Sequence, residues 1–166
     1  MKTTEGDLTI RDKKIALVAA RFNSFIVEHL ISGSKDTLLS SGAEESDIEL
    51  FYVPGAFEIP LVARYLARSK QYDAVICLGA VIRGQTPHFD YISAEMSRGI
   101  AQASWETGIP IIFGVLTTNT AEQALERSGE SEKNRGADAA RTAIEMATLM
   151  KSLQNSGQKS TGFLQP

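Results

Sequence analysis

The chain has 166 residues, of which 43% are hydrophobic and 22% charged, and its formal net charge is −3. That length fits one domain with enough apolar residues for a core, and the slight acidity excludes a basic footprint for nucleic acid and a polybasic membrane patch. The single cysteine, Cys77, lies inside an apolar run, so no disulfide forms within the chain, and a buried lone thiol is usually inert packing. The N-terminus, MKTTEGDLTI, has the pattern of neither a signal nor a transit peptide. No apolar stretch approaches the ~20 residues of a spanning helix. A soluble, cytoplasmic protein is expected.

Residues 1–12 read as a polar N-terminal arm in which Leu8–Thr9–Ile10 alternates like a short edge strand. Lys14 to Ala20 is a buried strand. After the turn Arg21–Phe22–Asn23–Ser24, a helix runs from Phe25 to Ser40, with Ile26, Leu30, Gly33 and Leu38 on one side and Gly42 closing it. Asp47 to Val53 is a second strand, and Pro54–Gly55 turns it into a helix over Phe57 to Arg68, where Pro60 fits the first turn. The apolar run Ala74 to Ala80 is a strand buried on both faces, followed by the loop Val81 to Thr86. Thr86 is the expected N-cap and Pro87 the first residue of a helix to Thr107, with Phe89, Ile92, Met96 and Ile100 as its stripe. Trp105 on this helix fits core or interface.

Pro110 to Thr117 is the fourth strand, and Asn119 or Thr120 caps a short helix ending at Arg127. Residues 129–136 break it, and a last helix spans Ala137 to Leu153. The tail, residues 154–166, is polar with two glycines and is expected to be disordered. Strands alternating with helices predict a single α/β domain, a three-layer αβα sandwich on a four-stranded parallel sheet, flavodoxin-like.

In such a sheet, ligands bind beyond the carboxyl ends of the strands. Four loops meet there: Arg21–Asn23, Gly55–Glu58, Val81–His88 and the segment after Phe113. The rim carries phenylalanines and one histidine, His88, without a carboxylate cluster or a cysteine. That combination suits a flat heterocycle and no metal, since the other histidine, His29, lies mid-helix. A helix N-terminus offers free N–H groups to a phosphate, and a histidine beside it is an acid–base candidate. Gly79 to Thr86 reads GAVIRGQT, close to a nucleotide-triphosphate loop, but Gln85 stands where that loop needs lysine, and Gly79 belongs to the strand. Each residue also has a plainer role. Phe22 and Phe57 fit loop anchors as well as stacking surfaces. Glu58 complements its helix dipole, and Arg127 does the same at a C-terminus. Arg135 fits a solvated loop charge.

The strings ARFN at 20–23, VPGAFEIP at 53–60, GxVIRGxTxHFDY at 79–91, FGVLTT at 113–118, EQAxERSG at 122–129 and NRGADAA at 134–140 occur in that order. Together they resemble the 6,7-dimethyl-8-ribityllumazine synthase family of riboflavin biosynthesis. The resemblance covers about Glu5 to Leu153 and implies a transferase that needs no cofactor. The substrates it implies are 5-amino-6-(D-ribitylamino)uracil and 3,4-dihydroxy-2-butanone 4-phosphate. The family pattern puts Phe22 on the pyrimidine ring and Ala56, Phe57 and Glu58 on the ribityl side. Backbone at Ala80, Val81 and Ile82 meets the uracil. Gln85, Thr86 and Arg127 meet the phosphate, and His88 moves protons. Phe113, Arg127 and Arg135 are expected from a neighbouring subunit.

The chain departs from the pattern at Gln85, where the family commonly has a small or acidic residue, and at Ser131 and Arg135, where it usually has lysine. The resemblance also implies a homopentamer built through the third helix and the N-terminal arm. Some members assemble twelve pentamers into a 60-subunit shell, which the compact 129–136 link permits, and association with riboflavin synthase belongs to the same expectation. Two other readings share the fold: a redox protein holding a flavin or nucleotide phosphate, and a shell-forming lumazine- or flavin-binding storage protein without turnover.

Overall fold

The computed structural model describes residues 1–129 and 133–160. Its strands are β1 (Ile15–Ala20), β2 (Ile48–Val53), β3 (Ala74–Ile82) and β4 (Ile111–Thr118). Its α-helices are α1 (Ser24–Ser40), α2 (Ile59–Arg68), α3 (His88–Thr107), α4 (Ala121–Ser128) and α5 (Arg135–Ser160). The strands form one parallel sheet in the order β2-β1-β3-β4.

The central strands are apolar because both of their faces are covered. Every residue of β1 is buried, as are Ala74 to Ala80 of β3. Strand alternation divides them between two layers. Ile15, Leu17, Ala19, Ile76 and Leu78 pack with α1 and α5, whereas Ala16, Val18, Ala20, Val75 and Cys77 pack with α2 and α3. This is the flavodoxin-like three-layer sandwich. Truncating a fully buried side chain such as Leu17 or Ile76 to alanine would cost about 2–5 kcal/mol. Burial also pushes the Cys77 thiol up, which leaves it inert.

The sheet order places the topological switch between β1 and β3. From β1 the chain moves outward to β2, then returns to the other side of β1 for β3. The crevice above their carboxyl ends is where such sheets hold ligands. At the opposite end, Asp73 closes the sheet. Its carboxylate accepts from Lys13 Nζ at 3.1 Å and from the Lys14 N–H at 2.9 Å.

Several expectations change. Leu8–Thr9–Ile10 is not a strand. Ile10 is instead fully buried, with its N–H donating to Ser41 O at 2.9 Å, and the arm is tied to α5 through Asp7 and Thr148. Burial of one apolar side chain, not edge pairing, orders this stretch. Thr86 does not cap α3: Pro87 holds the N-cap position and makes no side-chain capping bond. Trp105 is 82% exposed and is no core residue. Helix α5 runs to Ser160, so residues 154–160, expected to be disordered, are helical. The remainder of that tail, residues 161–166, lies outside the described residues, as does Ser131.

Candidate active site

The sheet itself builds the floor of the site. β1 pairs with β3 only as far as Ala19 and Leu78, while β3 continues beside β4 to Ile82 and Thr118. Beyond Leu78, therefore, the β1 side of β3 has no strand neighbour. Asn23 fills part of that gap, its Nδ2 donating to Ala80 O at 2.8 Å. This use of the amide explains why Asn23, at the N-cap position of α1 with φ 58°, makes no capping bond of its own. Asparagine tolerates that left-handed backbone better than most residues. Alternation along the strand turns the Ile82 backbone the same way as Ala80's carbonyl, and Val81's toward β4.

Above this floor opens a cleft of about 600 Å³. Its walls bring together Phe22, Ala56, Phe57, Glu58, Ala80, Val81, Ile82, Thr86 and His88, all expected from the sequence. Phe22 is 71% exposed and Phe57 54%, which is costly for loop anchors and apt for stacking surfaces. Glu58 spends Oε2 on the Gly55 N–H at 3.0 Å and keeps its other oxygen available. His88 is the first residue of α3 and is exposed. With no capping side chain, the N–H groups ahead of Asp90, whose own donates to Pro87 O at 3.0 Å, are left to meet an anion.

The loop from β3 to α3 is braced by a residue the sequence reading passed over. Arg83 makes a fork to Asp90, at 2.8 and 3.2 Å, and its Nε donates to Asn119 Oδ1 at 3.2 Å. Its guanidinium carbon lies 4.2 Å from the centre of the Phe89 ring, and the backbone N–H of Arg83 donates to Thr118 O at 2.9 Å. Through backbone and side chain, one residue thus ties β4 and the residue after it to the loop and the first turn of α3. Partners far apart in sequence left no local pattern to find. Gln85 sits in this loop, exposed and outside the lining.

The other three expected residues lie elsewhere on the chain. Phe113, Arg127 and Arg135 line a second cleft of about 600 Å³ along β4, between α4 and α5. Phe113 is 45% exposed. Arg127 Nη1 donates to Gln123 O at 2.9 Å, within its own helix, and Arg135 pairs with Asp138 at 2.9 Å. Thr120 caps α4 as expected, accepting from the Gln123 N–H at 3.2 Å. Among the described residues no group of histidine, cysteine, aspartate and glutamate could hold a metal, and no helix is long and apolar enough to cross a membrane.

Fold and cleft define an α/β protein of the flavodoxin-like class with a cleft of small-molecule size at the sheet's switch point. Comparison with known proteins narrows this. A family model described as 6,7-dimethyl-8-ribityllumazine synthase matches residues 12–151. The 6,7-dimethyl-8-ribityllumazine synthase of Desulfotalea psychrophila (strain LSv54 / DSM 12343) is 59% identical over 150 residues, covering 90% of this chain and 97% of the relative. That of Syntrophus aciditrophicus (strain SB) is 57% identical with the same coverage. The chain belongs to the 6,7-dimethyl-8-ribityllumazine synthase family, as the resemblance of its ordered strings implied.

Proposed function

We propose that the protein is a cofactor-independent transferase that condenses 5-amino-6-(D-ribitylamino)uracil with 3,4-dihydroxy-2-butanone 4-phosphate, releasing the lumazine, phosphate and water in the cytoplasm. The observation that carries this reading is His88 at the uncapped start of α3, inside a cleft walled by Phe22, Phe57 and the open edge of β3. The phenylalanines offer faces to a pyrimidine, and the Ile82 backbone and Glu58 offer hydrogen-bonding groups to the uracil and its ribityl chain.

The amine attacks the butanone carbonyl and water leaves as the imine forms. Phosphate is eliminated, the enol left behind becomes a ketone, and the second amine adds to that carbonyl and closes the ring with loss of a second water. Each step moves protons at neutral pH, which suits an imidazole. The amine is already nucleophilic and phosphate leaves readily, so holding both substrates together supplies much of the rate gain.

The cleft that holds His88 contains no arginine. Arg127 and Arg135 lie in the other cleft, which supports a site completed by the β4 side of a neighbouring copy. We read the working form as a homopentamer, with a 60-subunit shell as its higher assembly and riboflavin synthase as a partner. The exposed Leu61, Tyr65, Tyr91 and Trp105 on α2 and α3 supply an apolar contact face for it.

The test is lumazine formation from the two substrates, followed by absorbance with and without protein, after subtracting the uncatalysed rate. A protein-dependent rate without added metal or cofactor is expected. Background rate with tight lumazine binding would overturn the enzyme reading in favour of a binding protein. Light scattering expects a mass of five chains or a multiple of it, and a monomer would remove the shared site.

A further inference from the structure

A buried hub joins α4 to α5, and no catalytic step uses it. Asn134 is 6% exposed. Its Nδ2 donates to three carbonyls, His29 at 3.1 Å, Ser128 at 3.0 Å and Gly129 at 3.0 Å. Its Oδ1 accepts from the N–H groups of Gly136 at 2.8 Å and Ala137 at 3.1 Å. A primary amide has only two N–H bonds, so one of them is shared between carbonyls and the group is fully used. One side chain therefore joins α1, the end of α4 and the start of α5.

The surrounding chain is cut to fit this junction. A Cβ at Gly33 would fall 2.4 Å from Asn134 Oδ1, and one at Gly136 would fall 2.1 Å from Leu30 O. Ser34 Oγ, also buried, donates to Gly136 O at 2.8 Å. The two arginines of the β4 cleft flank the hub directly. Arg127 precedes Ser128, whose carbonyl Asn134 holds, and Arg135 follows Asn134 itself. Neither guanidinium is fixed by burial, since both side chains are about half exposed. What is fixed is the pair of backbone points from which they project.

We propose that Asn134 is a positioning residue of the phosphate half of the site: its amide sets the spacing between Arg127 and Arg135, and so the affinity for the phosphorylated substrate. This rests on reading Arg127 as the phosphate clamp and Arg135 as closing the same pocket. Asn134→Ser keeps a short oxygen acceptor for the start of α5 and removes the donors that hold α4. Displacing a binding group by about an ångström can cost up to ~10²-fold, so the expected rise in KM for the butanone phosphate is about tenfold or more. KM for the ribityl-uracil should stay within about twofold, and inorganic phosphate should lose potency as an inhibitor in parallel.

Gly33→Ala is the second variant. It leaves every hydrogen-bonding group in place and drives a methyl into the Asn134 amide, so the same selective change is expected if Asn134→Ser does not fold. Arg127→Ala is measured alongside. If it leaves KM for the butanone phosphate unchanged, the clamp reading has failed. If it raises that KM while the Asn134 and Gly33 variants shift both substrates equally or neither, the clamp stands and Asn134 is only a structural knot.

Discussion

The two clefts of this chain are opposites. Among the described residues, the one at the β1–β3 switch point is lined by Phe22, Phe57 and His88 and by no cation. The one along β4 holds Arg127 and Arg135 and no histidine. The first offers flat apolar faces and a proton carrier, and the second offers charge. A reaction between a flat pyrimidine and a phosphorylated ketone needs both. On the proposed reading the chain carries two half-sites, each organised by its own elements: the overhang of β3 in one case, the α4–α5 junction in the other. On that reading activity depends on assembly, and heterologous contacts that close into a ring would supply the repeated pairing.

The largest effect should come from recombining the halves. His88→Ala removes the proton carrier and is expected to lower kcat about 10²-fold without abolishing it. Arg127→Ala damages the other half. Assayed at low butanone phosphate, each variant alone should be weak. Co-expressed, random pairing around a ring should place intact halves together in about a quarter of the sites. Activity should then rise to roughly that fraction of the unaltered protein's. A mixture no more active than the mean of its parents would mean that both clefts act within one chain.

Arg127→Ala on its own sharpens the division of labour. A charge-assisted bond to phosphate is worth about 2 kcal/mol, or on the order of thirtyfold in affinity. That loss should appear in KM for the butanone phosphate and leave the ribityl-uracil untouched. An unchanged KM would show that the free N–H groups of α3 carry the phosphate without help.

A smaller change is expected at Arg83. Its fork to Asp90 is partly exposed, and such pairs contribute roughly 0–1 kcal/mol. Yet the pair spans the loop that carries Gly84, Thr86 and the start of α3. Arg83→Lys keeps the charge and loses the fork and the Asn119 bond. About a threefold fall in kcat/KM, with an unchanged melting temperature, is the expected result. A loss larger than that of Arg127→Ala would mean that Arg83 itself touches substrate.

How much of this was legible beforehand follows from how local each feature is. The buried strands were plain because two covered faces demand continuous apolar runs, as at Ala74 to Ala80. The cap of α4 was readable as Asn119 or Thr120, and Thr120 holds it, because its partner is only three residues away. The residues around His88 could be grouped because they all sit at strand ends on one rim. Features made by distant partners left no such trace. Nothing in ARFN announces that the Asn23 amide will hold Ala80, 57 residues away. The separation of Phe113 and Arg127 from His88 was expected only from the family pattern, since spacing alone cannot say which edge of the sheet a loop will face. The Leu8–Ile10 alternation left an edge strand and a loop-like arm both open, because a single buried isoleucine produces the same three-residue signal as a strand.

A control for the comparison lies at the other end of the sheet, away from both clefts. There Tyr72 is buried, its ring meets Phe51 edge to face with centroids 6.1 Å apart, and its hydroxyl donates to Glu49. Burial, first, and the Glu49 carboxylate push its pKa from 10.0 up to about 12. The folded chain therefore holds this proton where the unfolded chain releases it. The contribution is complete below about 10 and drains away as pH rises toward about 12. Tyr72→Phe should cost about 1 kcal/mol at neutral pH through the lost hydrogen bond, because Glu49 is exposed and can turn to water. It should also flatten the fall in melting temperature over that alkaline window. Some slope should remain, since burial and Glu28 raise the pKa of Tyr52 in the same direction. Both KM values should be unaffected. If they shift together with the melting temperature, the two half-sites are not insulated from the far end of the sheet, and selective effects at Arg127 or Arg83 would have to be judged against that coupling.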